Sequence, residues 1–145
     1  MSTSMTQQEK ENFLAGVHVG IIGIAQAGCA PLTVPIWYAY EPGKEIGFVT
    51  GGSSQKGKLL TLGSNVSLCV QEEQMPYKYV SVEGTVVGID PADVERDIRP
   101  LAQRYYGREG GDQYIQRVYG SGVADGDLLI RIRPRRWLAA DYSRL

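Results

Sequence analysis

The chain has 145 residues, with 15 Lys and Arg against 16 Asp and Glu, and a formal net charge of −1. This length predicts one domain over residues 1–145 and leaves little room for a second core. The near-neutral balance argues against a general nucleic-acid binder, because such proteins need a basic excess to displace counterions from the phosphates.

With 18 Gly and 9 Tyr but only 2 Phe, the composition favours short strands and tight turns over a helical bundle. Cys29 and Cys69 are too few for the disulfide framework of a small secreted fold, and we expect both to be reduced, buried thiols. The apolar run at residues 17–27 is too short to span a bilayer, and the N-terminus lacks a basic segment followed by an apolar one. We therefore expect a cytoplasmic protein without membrane insertion.

The first third of the sequence predicts one short helix and then three strands, at residues 9–16, 17–25, 31–40 and 45–50. The second of these strands contains Pro35, which has no N–H and is therefore expected at a sheet edge or bulge, beside an opening in the sheet. Residues 41–44, Glu-Pro-Gly-Lys, form the turn that leads into the third strand.

The middle of the sequence predicts a capped helix and two more strands. Ser53 or Ser54 is expected to cap a helix that ends near Leu62. The strands are expected at residues 66–71 and 77–89, and polar and apolar residues alternate clearly in the second.

The last third predicts helices and a closing strand. Asp90-Pro91 is expected to start a helix, which Pro100 should kink or divide. A flexible loop, a short helix capped by Asp112 and a final strand are expected to follow, at residues 107–111, 112–118 and 127–133, with a continuation of the strand past Pro134 to Trp137 and Ala140. Because most connections are too short for parallel crossovers, the sum is a mainly β (α+β) fold, an antiparallel barrel with peripheral helices.

The loop from Thr50 to Leu60 (TGGSSQKGKLL) carries the strongest chemical signal. It leaves a strand, turns through two glycines and opens a helix, so hydroxyls, backbone N–H groups and two lysines converge as they do around a bound phosphate. Gly52 to Lys58 also fits the G-x-x-x-x-G-K frame of a nucleoside-triphosphatase loop. Leu59 stands where magnesium coordination needs Ser or Thr, so we interpret that match as a false positive.

Other reactive residues give weaker signals. His18 is the only histidine, which excludes a multi-histidine metal site, and no cysteine and histidine spacing suits zinc. Four arginines near the C-terminus form a basic patch that we interpret as barrel exterior or dimer rim, with an attractive surface for an anionic cofactor or substrate as the alternative: Arg131, Arg133, Arg135 and Arg136.

Several segments, in order, resemble the pyridoxamine 5′-phosphate oxidase-like superfamily of split β-barrels. They are VPIWY from Val34, EIGFVT from Glu45, SQKGKLL from Ser54, NVSL from Asn65, YVSVEGTVVGI from Tyr79, and the closing strand with Pro134 and Trp137. The resemblance covers roughly residues 13–141 and is strongest to the flavin/deazaflavin oxidoreductases that bind coenzyme F-420 (an 8-hydroxy-5-deazaflavin) or FMN. Each motif is degenerate, and the specificity lies in their order and spacing.

The resemblance implies a cofactor site and a homodimer. The cofactor phosphate would be held by Thr50, Ser54, Gln55, Lys56 and Lys58. The family usually has Arg or Lys where Gln55 stands, so Lys56 and Lys58 carry the charge here. The tricyclic ring would be lined by Pro35, Ile36, Trp37 and Val49. It would lie between two subunits, so that Trp37, Tyr79 or Trp137 comes from either chain.

The implied function is hydride transfer from reduced F-420 to a small organic substrate. No catalytic residue is identified, and the proton is expected from solvent or from Tyr79. The alternatives are an FMN- or haem-binding split barrel and a non-catalytic flavin or deazaflavin carrier. The C-terminal Arg-x-His element of true pyridoxamine-phosphate oxidases is missing after Trp137, so the vitamin is not the expected substrate.

Overall fold

The computed structural model of the protein describes residues 2–145 and shows one curled, fully antiparallel sheet of six strands. The strands are β1 (Gly20–Ile24), β2 (Leu32–Ile36), β3 (Ile46–Gly51), β4 (Asn65–Glu72), β5 (Lys78–Pro91) and β6 (Asp127–Asp141). The helices are α1 (Gln7–Ala15), α2 (Gln55–Leu59) and α3 (Arg99–Val118), with a π-helical turn at Val94–Ile98 and a 3₁₀ turn at Tyr142–Arg144.

Within residues 2–145, the sheet curls into a barrel whose two edges meet at one point. Its strand order is β2-β1-β4-β5-β6-β3, so β2 and β3 are the two edges. Beyond the end of β2, Ala39 pairs with Gly47 of β3 through two backbone hydrogen bonds of 2.9 Å each. The remaining length of the two edges is unpaired, which makes the molecule a split barrel with peripheral helices, as predicted.

The barrel interior is filled by alternate residues of the strands. Residues of β5 alternate between buried and more exposed positions over most of its length, and β4 alternates in the same way. Two register shifts between β5 and β6, at Glu83/Gly84 and Val86/Gly88, let these long strands bend around the core. Gly84 leaves room for this close approach, because a Cβ there would lie 2.8 Å from the carbonyl oxygen of Arg133.

Helix α1 packs against the barrel core. Thr6 and Glu9 form a reciprocal capping box at its start. Leu14 is fully buried, and the Tyr38 hydroxyl donates to the Leu14 carbonyl oxygen at 2.6 Å. At the C-terminal end of α1, the Arg104 guanidinium donates to the last carbonyl groups, including that of Gly16 at 2.8 Å, where the helix dipole favours a cation.

The helix predicted to start at Asp90-Pro91 was wrong. Residues through Pro91 continue β5, because Asp90 and Pro91 pair with β6. The cap is Asp93, whose carboxylate accepts a hydrogen bond of 2.7 Å from the Arg96 N–H. Pro100 then lies in the first turn of α3, where a missing N–H is tolerated, and marks its junction with the π-helical turn.

The predicted loop at residues 107–111 was also wrong in its extent, whereas the predicted second helix ending at Val118 is present, although it starts directly after Gly107 and is not capped by Asp112. The helical backbone is interrupted at Gly107 alone, with φ 80° and ψ 170°, and resumes immediately. We call residues 99–118 the helical corner, with a first half at 99–106 and a second half at 108–118. The halves touch closely, since a Cβ on Gly111 would lie 2.6 Å from the Gln103 Cα.

A salt bridge holds the helical corner together. Asp112, inside the second half, accepts from Arg99 at 2.8 Å and from Gln103 at 2.9 Å. Arg99 also pairs with Glu95 at 2.8 Å. A small apolar cluster around Val94, Ile98, Ala102 and Ile115 packs beneath it, separate from the barrel core.

The expectation of two buried thiols holds only in part. Cys29 is exposed in the turn after β1, whereas Cys69 is half-buried on β4 and burial raises the pKa of its thiol. Within residues 2–145, no helix has the length and apolarity that a membrane crossing would need.

Candidate functional site

A cleft of about 460 Å³ lies where the barrel is split, between the unpaired edges of β2 and β3. The edge strands and α2 supply one side, through Pro35, Ile36, Trp37, Val49 and Lys56, with Val19 before β1. The other side is formed by the π-helical turn, by the helical corner and by Tyr119, which follows that corner. Its lining residues are Ile98, Leu101, Ala102, Tyr106, Tyr114 and Tyr119. The volume suits a small organic ligand.

The opening follows from the local sequence of β2. Pro35 pairs with Ile21 of β1 on one side, and it has no N–H to offer a further strand on the other. The structure therefore confirms the predicted edge position. Trp37 comes directly after β2 and lines the cleft at this opening.

The turn between β3 and α2 is held by side-chain hydroxyls. The Ser54 hydroxyl accepts from the Gly57 N–H at 3.1 Å and donates to the Gly51 carbonyl oxygen at 2.7 Å. It also lies 3.0 Å from the Thr50 hydroxyl, and Thr50 is only 6% exposed. Ser54, not Ser53, is thus the cap of α2, and the hydroxyls of Thr50 and Ser54 are engaged within the turn.

The side chains of α2 differ in where they lie. Lys56 lines the cleft, whereas Lys58 is exposed and does not line it. Neither lysine forms an ion pair with another residue in the described range 2–145. Gln55 is exposed, and its amide donates to the Gln26 side chain at 2.9 Å. Lys56 is the charged side chain that reaches the cleft.

An aromatic cluster surrounds Trp37. Tyr105 stacks on its indole, with ring centroids 5.0 Å apart and an angle of 8° between the planes. Tyr106 meets it edge-on at 5.3 Å, and Tyr114 lies 5.6 Å away. The Tyr105 hydroxyl donates to the His18 carbonyl oxygen at 2.6 Å, which ties the helical corner to the strand region behind Trp37.

The hydroxyl groups of the cleft tyrosines fall into two kinds. The Tyr119 hydroxyl donates to the Asp127 carboxylate at 2.7 Å, and burial, with this carboxylate, raises the pKa of Tyr119. By contrast, the hydroxyls of Tyr106 and Tyr114 have no hydrogen-bond partner within residues 2–145. These two phenols are free to bond to a ligand.

Two of the predicted site residues, Tyr79 and Trp137, lie outside the cleft. Tyr79 pairs with Gln71 and Ala140 on the central strands and does not line the cleft. Trp137 packs partly buried against the barrel core and lines a different cavity, of about 290 Å³, with Tyr40. The fold thus brings Pro35, Ile36, Trp37, Val49 and Lys56 together along one cleft, with Thr50 and Ser54 in the turn beside it.

The tyrosines of the helical corner were missed by the sequence analysis. Tyr106 and Tyr114 were not among the predicted site residues, and they lie on either side of the loop that the sequence predicts at residues 107–111. The available signal was the run of aromatic residues at 105, 106, 114 and 119. These residues come together as a cluster only because the helix bends at Gly107.

The remaining reactive residues do not form a second centre within the described chain. The His18 ring lies 2.9 Å from the Phe13 carbonyl oxygen, a structural contact. Arg131 pairs with Glu45 at 2.9 Å, and Arg136 pairs with Glu83 at 3.7 Å. Residues 2–145 contain no group of three or more His, Cys, Asp or Glu residues that could hold a metal ion.

Comparison with known proteins gives a family and a fold. The family model described as Pyridoxamine 5′-phosphate oxidase matches residues 6–140. A conserved hypothetical protein of Mycobacterium tuberculosis has a similar structure, with a TM-score of 0.74 and 23% identity over 97% of this chain and 88% of that one. A comparison with curated proteins finds no match.

Two further solved structures carry functional names. An F420 reductase superposes with a TM-score of 0.61 and 20% identity, over 88% of this chain and 94% of its own. A FAD and heme binding protein from Mycobacterium smegmatis gives a TM-score of 0.68 and 15% identity, over 95% and 72% of the two chains. At these identities the likeness concerns the fold.

Proposed function

Because the chain belongs to the pyridoxamine 5′-phosphate oxidase family, we propose that it is an oxidoreductase that binds a flavin-type cofactor in the split of its barrel. The observation that carries the proposal is the single cation in this cleft. Lys56 has no internal ion pair and faces a cavity whose other lining residues are apolar or aromatic. A planar ring joined to a phosphate has the matching distribution of apolar surface and negative charge.

Each part of the cleft has a role in this proposal. Lys56 binds the phosphate, and the turn of Thr50 and Ser54 fixes the start of α2 so that the lysine points at the cleft. Lys58 and Gln55 are exposed on the same helix and add weaker contacts. Pro35, Ile36, Trp37 and Val49 form the apolar wall for the ring. When bound, the cofactor supplies hydride transfer, which no side chain provides.

Coenzyme F-420 is the cofactor that we propose first, with FMN as the alternative. Titrating the purified protein with F-420, FMN, FAD and haem tests the choice, with turnover assays for every cofactor that binds. We expect one of the deazaflavin or flavin cofactors to bind at micromolar concentration. Absence of binding by all four would contradict the proposed function.

Replacement of Lys56 tests the phosphate contact. Lys56→Ala should weaken cofactor binding by about tenfold or more, since a charge-assisted contact to phosphate contributes about 1.5–3 kcal/mol. Isothermal titration calorimetry measures the change. Lys58→Ala is the matched control, because it removes the same charge from the same helix outside the cleft, and we expect a loss of less than about threefold.

The outcome separates a specific contact from a general charge effect. Equal losses in the two variants would show that α2 attracts the anion only through its net charge. Unchanged affinity in Lys56→Ala would remove the phosphate from this end of the cleft. Thermal unfolding of both variants should match the wild type, since neither lysine is buried.

A homodimer is the assembly that we propose for the active protein. Ile21 and Leu138 are exposed apolar residues on the outer face of the sheet, with Leu138 at 64%, and Val17 and Val19 are exposed in the segment that leads into β1. Ile21, Cys69, Ser81 and Leu138 form one continuous row across four strands. A second copy on this face would cover the row.

This face also adjoins the cleft. Val19 lines both the cleft and the surface depression that contains Ile21 and Cys69, so a partner subunit there would close the open side of the site. Tyr79, whose side chain alternates with buried Val80 and Val82, would reach the partner's site from this face. Light scattering should therefore show a dimer that Ile21→Glu converts to monomer, whereas a monomeric wild type would refute the assembly.

A non-catalytic carrier is the second candidate function. The cleft lining contains no carboxylic acid, histidine or cysteine, so the chain offers no conventional proton donor apart from phenols. For an enzyme, the proton would come from solvent or from a tyrosine. Tight cofactor binding without accelerated reduction of any tested acceptor would favour the carrier.

A further inference from the structure

A second cavity, of about 290 Å³, lies between α1, the segment 40–45 that leads into β3, and the middle of β6. We call it the α1 cavity. It shares no lining residue with the cleft at the split of the barrel. Its volume lies at the lower end of the range for ligand sites, so it suits one small molecule.

Four charged side chains line the α1 cavity, and two of them are already neutralised by a partner. Lys44 pairs with Glu41 at 2.8 Å. Glu45 pairs with Arg131 at 2.9 Å. The charges that remain for a ligand are therefore one carboxylate, on Glu11, and one guanidinium, on Arg133.

The Glu11 carboxylate is held in place without being neutralised. Its Oε1 atom accepts from the Gly43 N–H at 2.8 Å and from the Tyr40 hydroxyl at 3.1 Å. Burial and the hydrogen bond to Glu11 raise the pKa of Tyr40 to about 12, so the phenol remains protonated at neutral pH and keeps donating. Among the described residues, Oε2 of Glu11 has no hydrogen-bond partner, and no cation pairs with this side chain.

Arg133 is the opposite charge on the same cavity. Within residues 2–145 its guanidinium has no ion pair, and it lies too far from Glu11 for the two to pair directly. Trp137, which is half-buried, adds an apolar aromatic surface to the lining. A molecule that carries both charges would pair with both side chains, whereas a molecule with one charge would leave one of them unpaired.

We propose that the α1 cavity binds a small zwitterion of the α-amino acid class, with its ammonium group on Glu11, its carboxylate on Arg133 and an apolar side chain against Trp137. The inference does not depend on the proposed function, because none of these residues lines the cleft assigned to the cofactor.

Three matched ligands test the two charge contacts. L-Phenylalanine carries an ammonium and a carboxylate group, phenethylamine keeps only the ammonium, and 3-phenylpropionate keeps only the carboxylate. NMR titration of ¹⁵N-labelled protein measures each affinity from the indole N–H signals of the two tryptophans, which Trp137→Phe assigns. We expect phenylalanine to shift the Trp137 signal and not that of Trp37, and to bind about threefold or more tightly than either analogue.

Two variants remove one charge each. Glu11→Gln keeps an acceptor for Tyr40 and Gly43, and it should weaken phenylalanine and phenethylamine by about five- to tenfold without affecting 3-phenylpropionate. Arg133→Gln should weaken phenylalanine and 3-phenylpropionate by about threefold without affecting phenethylamine, since this arginine is exposed. Arg135→Gln is the matched control, because it removes an exposed arginine of the same strand that lines another depression, and all three affinities should stay unchanged.

The outcomes decide the inference independently of the cofactor. Binding of none of the ligands, equal affinity for all three, or equal losses in Arg133→Gln and Arg135→Gln would overturn it. A shift of the Trp37 signal alone would place phenylalanine in the cleft and would overturn it as well. Arg133→Gln changes an exposed side chain, so it keeps the test decisive if Glu11→Gln does not fold. The proposed function is tested separately, by the cofactor titrations.

Discussion

Gly57 is the single residue on which the geometry of the α2 turn depends most directly. A Cβ at this position would collide with the Gly51 carbonyl oxygen and lie 2.9 Å from that of Gly52. Both obstacles are backbone atoms, so they cannot move aside as a flexible side chain would. Glycine is therefore required for the helix to start this close to the end of β3.

Replacing Gly57 should damage both stability and the proposed anion site. Gly57→Ala is expected to lower the free energy of unfolding by about 1–3 kcal/mol, the usual range for overpacking, and to weaken cofactor binding because Lys56 is displaced. Urea denaturation and calorimetric titration measure the two effects. Gly47→Ala is the control, since its new Cβ would have only ordinary contacts, the nearest at 3.8 Å. Wild-type stability in Gly57→Ala would show that the turn relaxes easily.

At the residue scale, the sequence predicted local chemistry better than long-range assembly. A serine cap at position 53 or 54 and the edge position of Pro35 depend on a few neighbouring residues, and the sequence predicted both, although the choice of Ser54 comes from the structure. The approach of Tyr106 and Tyr114 to Trp37 depends on the path of α3, which no local pattern specifies. The positions of Tyr79 and Trp137 depend on strand register, and the structure places neither in the cleft.

At the scale of elements, the helical corner determines whether the cleft has a second side. Gly107 has φ 80° and ψ 170°, a conformation that is essentially restricted to glycine. Gly107→Ala should therefore destabilise the corner by about 1–3 kcal/mol and favour separation of its halves. Hydrogen exchange should speed up in residues 99–118 while the barrel strands remain protected.

The exchange pattern distinguishes the bend from a general loss of stability. Glu109→Ala, two residues further on at an exposed position, should leave exchange unchanged. Uniformly faster exchange throughout the barrel in Gly107→Ala would show that the corner is part of the main folding unit and not a separately opening element.

The same corner explains why the last third of the chain was the hardest to predict. Asp90-Pro91 has the composition of a helix start, but pairing with β6 keeps both residues in β5. Glycine at 107, 110 and 111 suggested a loop, whereas Gly111 lets helical backbone pack closely against Gln103 and Gly110 lies close to the Tyr106 side chain. The strands were predicted more successfully, because alternation and short turns are local signals and the short connections favour antiparallel pairing.

At the scale of the whole molecule, we propose that residues 1–145 behave as one domain whose N-terminal and C-terminal segments are held together by hydrogen bonds and ion pairs. The Asp141 N–H donates to the Thr3 carbonyl oxygen at 2.9 Å. Arg144 pairs with both Glu9 of α1 and Asp141 at the end of β6. These contacts couple α1, which packs against the barrel core, to the last strand of the sheet.

This coupling gives the stability of the molecule a defined dependence on acid. Hydrogen bonds from the Arg144 side chain and the Thr6 N–H lower the pKa of Glu9 from 4.5 to about 2. A carboxyl group with a lowered folded-state pKa contributes stability above its unfolded-state pKa and loses that contribution as the pH falls towards the folded-state value. The contribution of Glu9 should therefore be complete above about pH 5 and should disappear between pH 4.5 and 2.

Replacement of Glu9 measures this contribution against the other carboxyl groups. Glu9→Gln should lower the thermal midpoint at pH 7 and should flatten its fall between pH 5 and 2, because one proton-linked contact has been removed. Glu73→Gln, at an exposed site with no ion pair within residues 2–145, should follow the wild-type curve. The loss at pH 7 should shrink in high salt, since the ion pair is partly exposed, at 36% for Arg144 and 37% for Glu9. If the thermal midpoint of Glu9→Gln ran parallel to that of the wild type at every pH, the contact between the terminal segments would not determine the acid sensitivity of the fold.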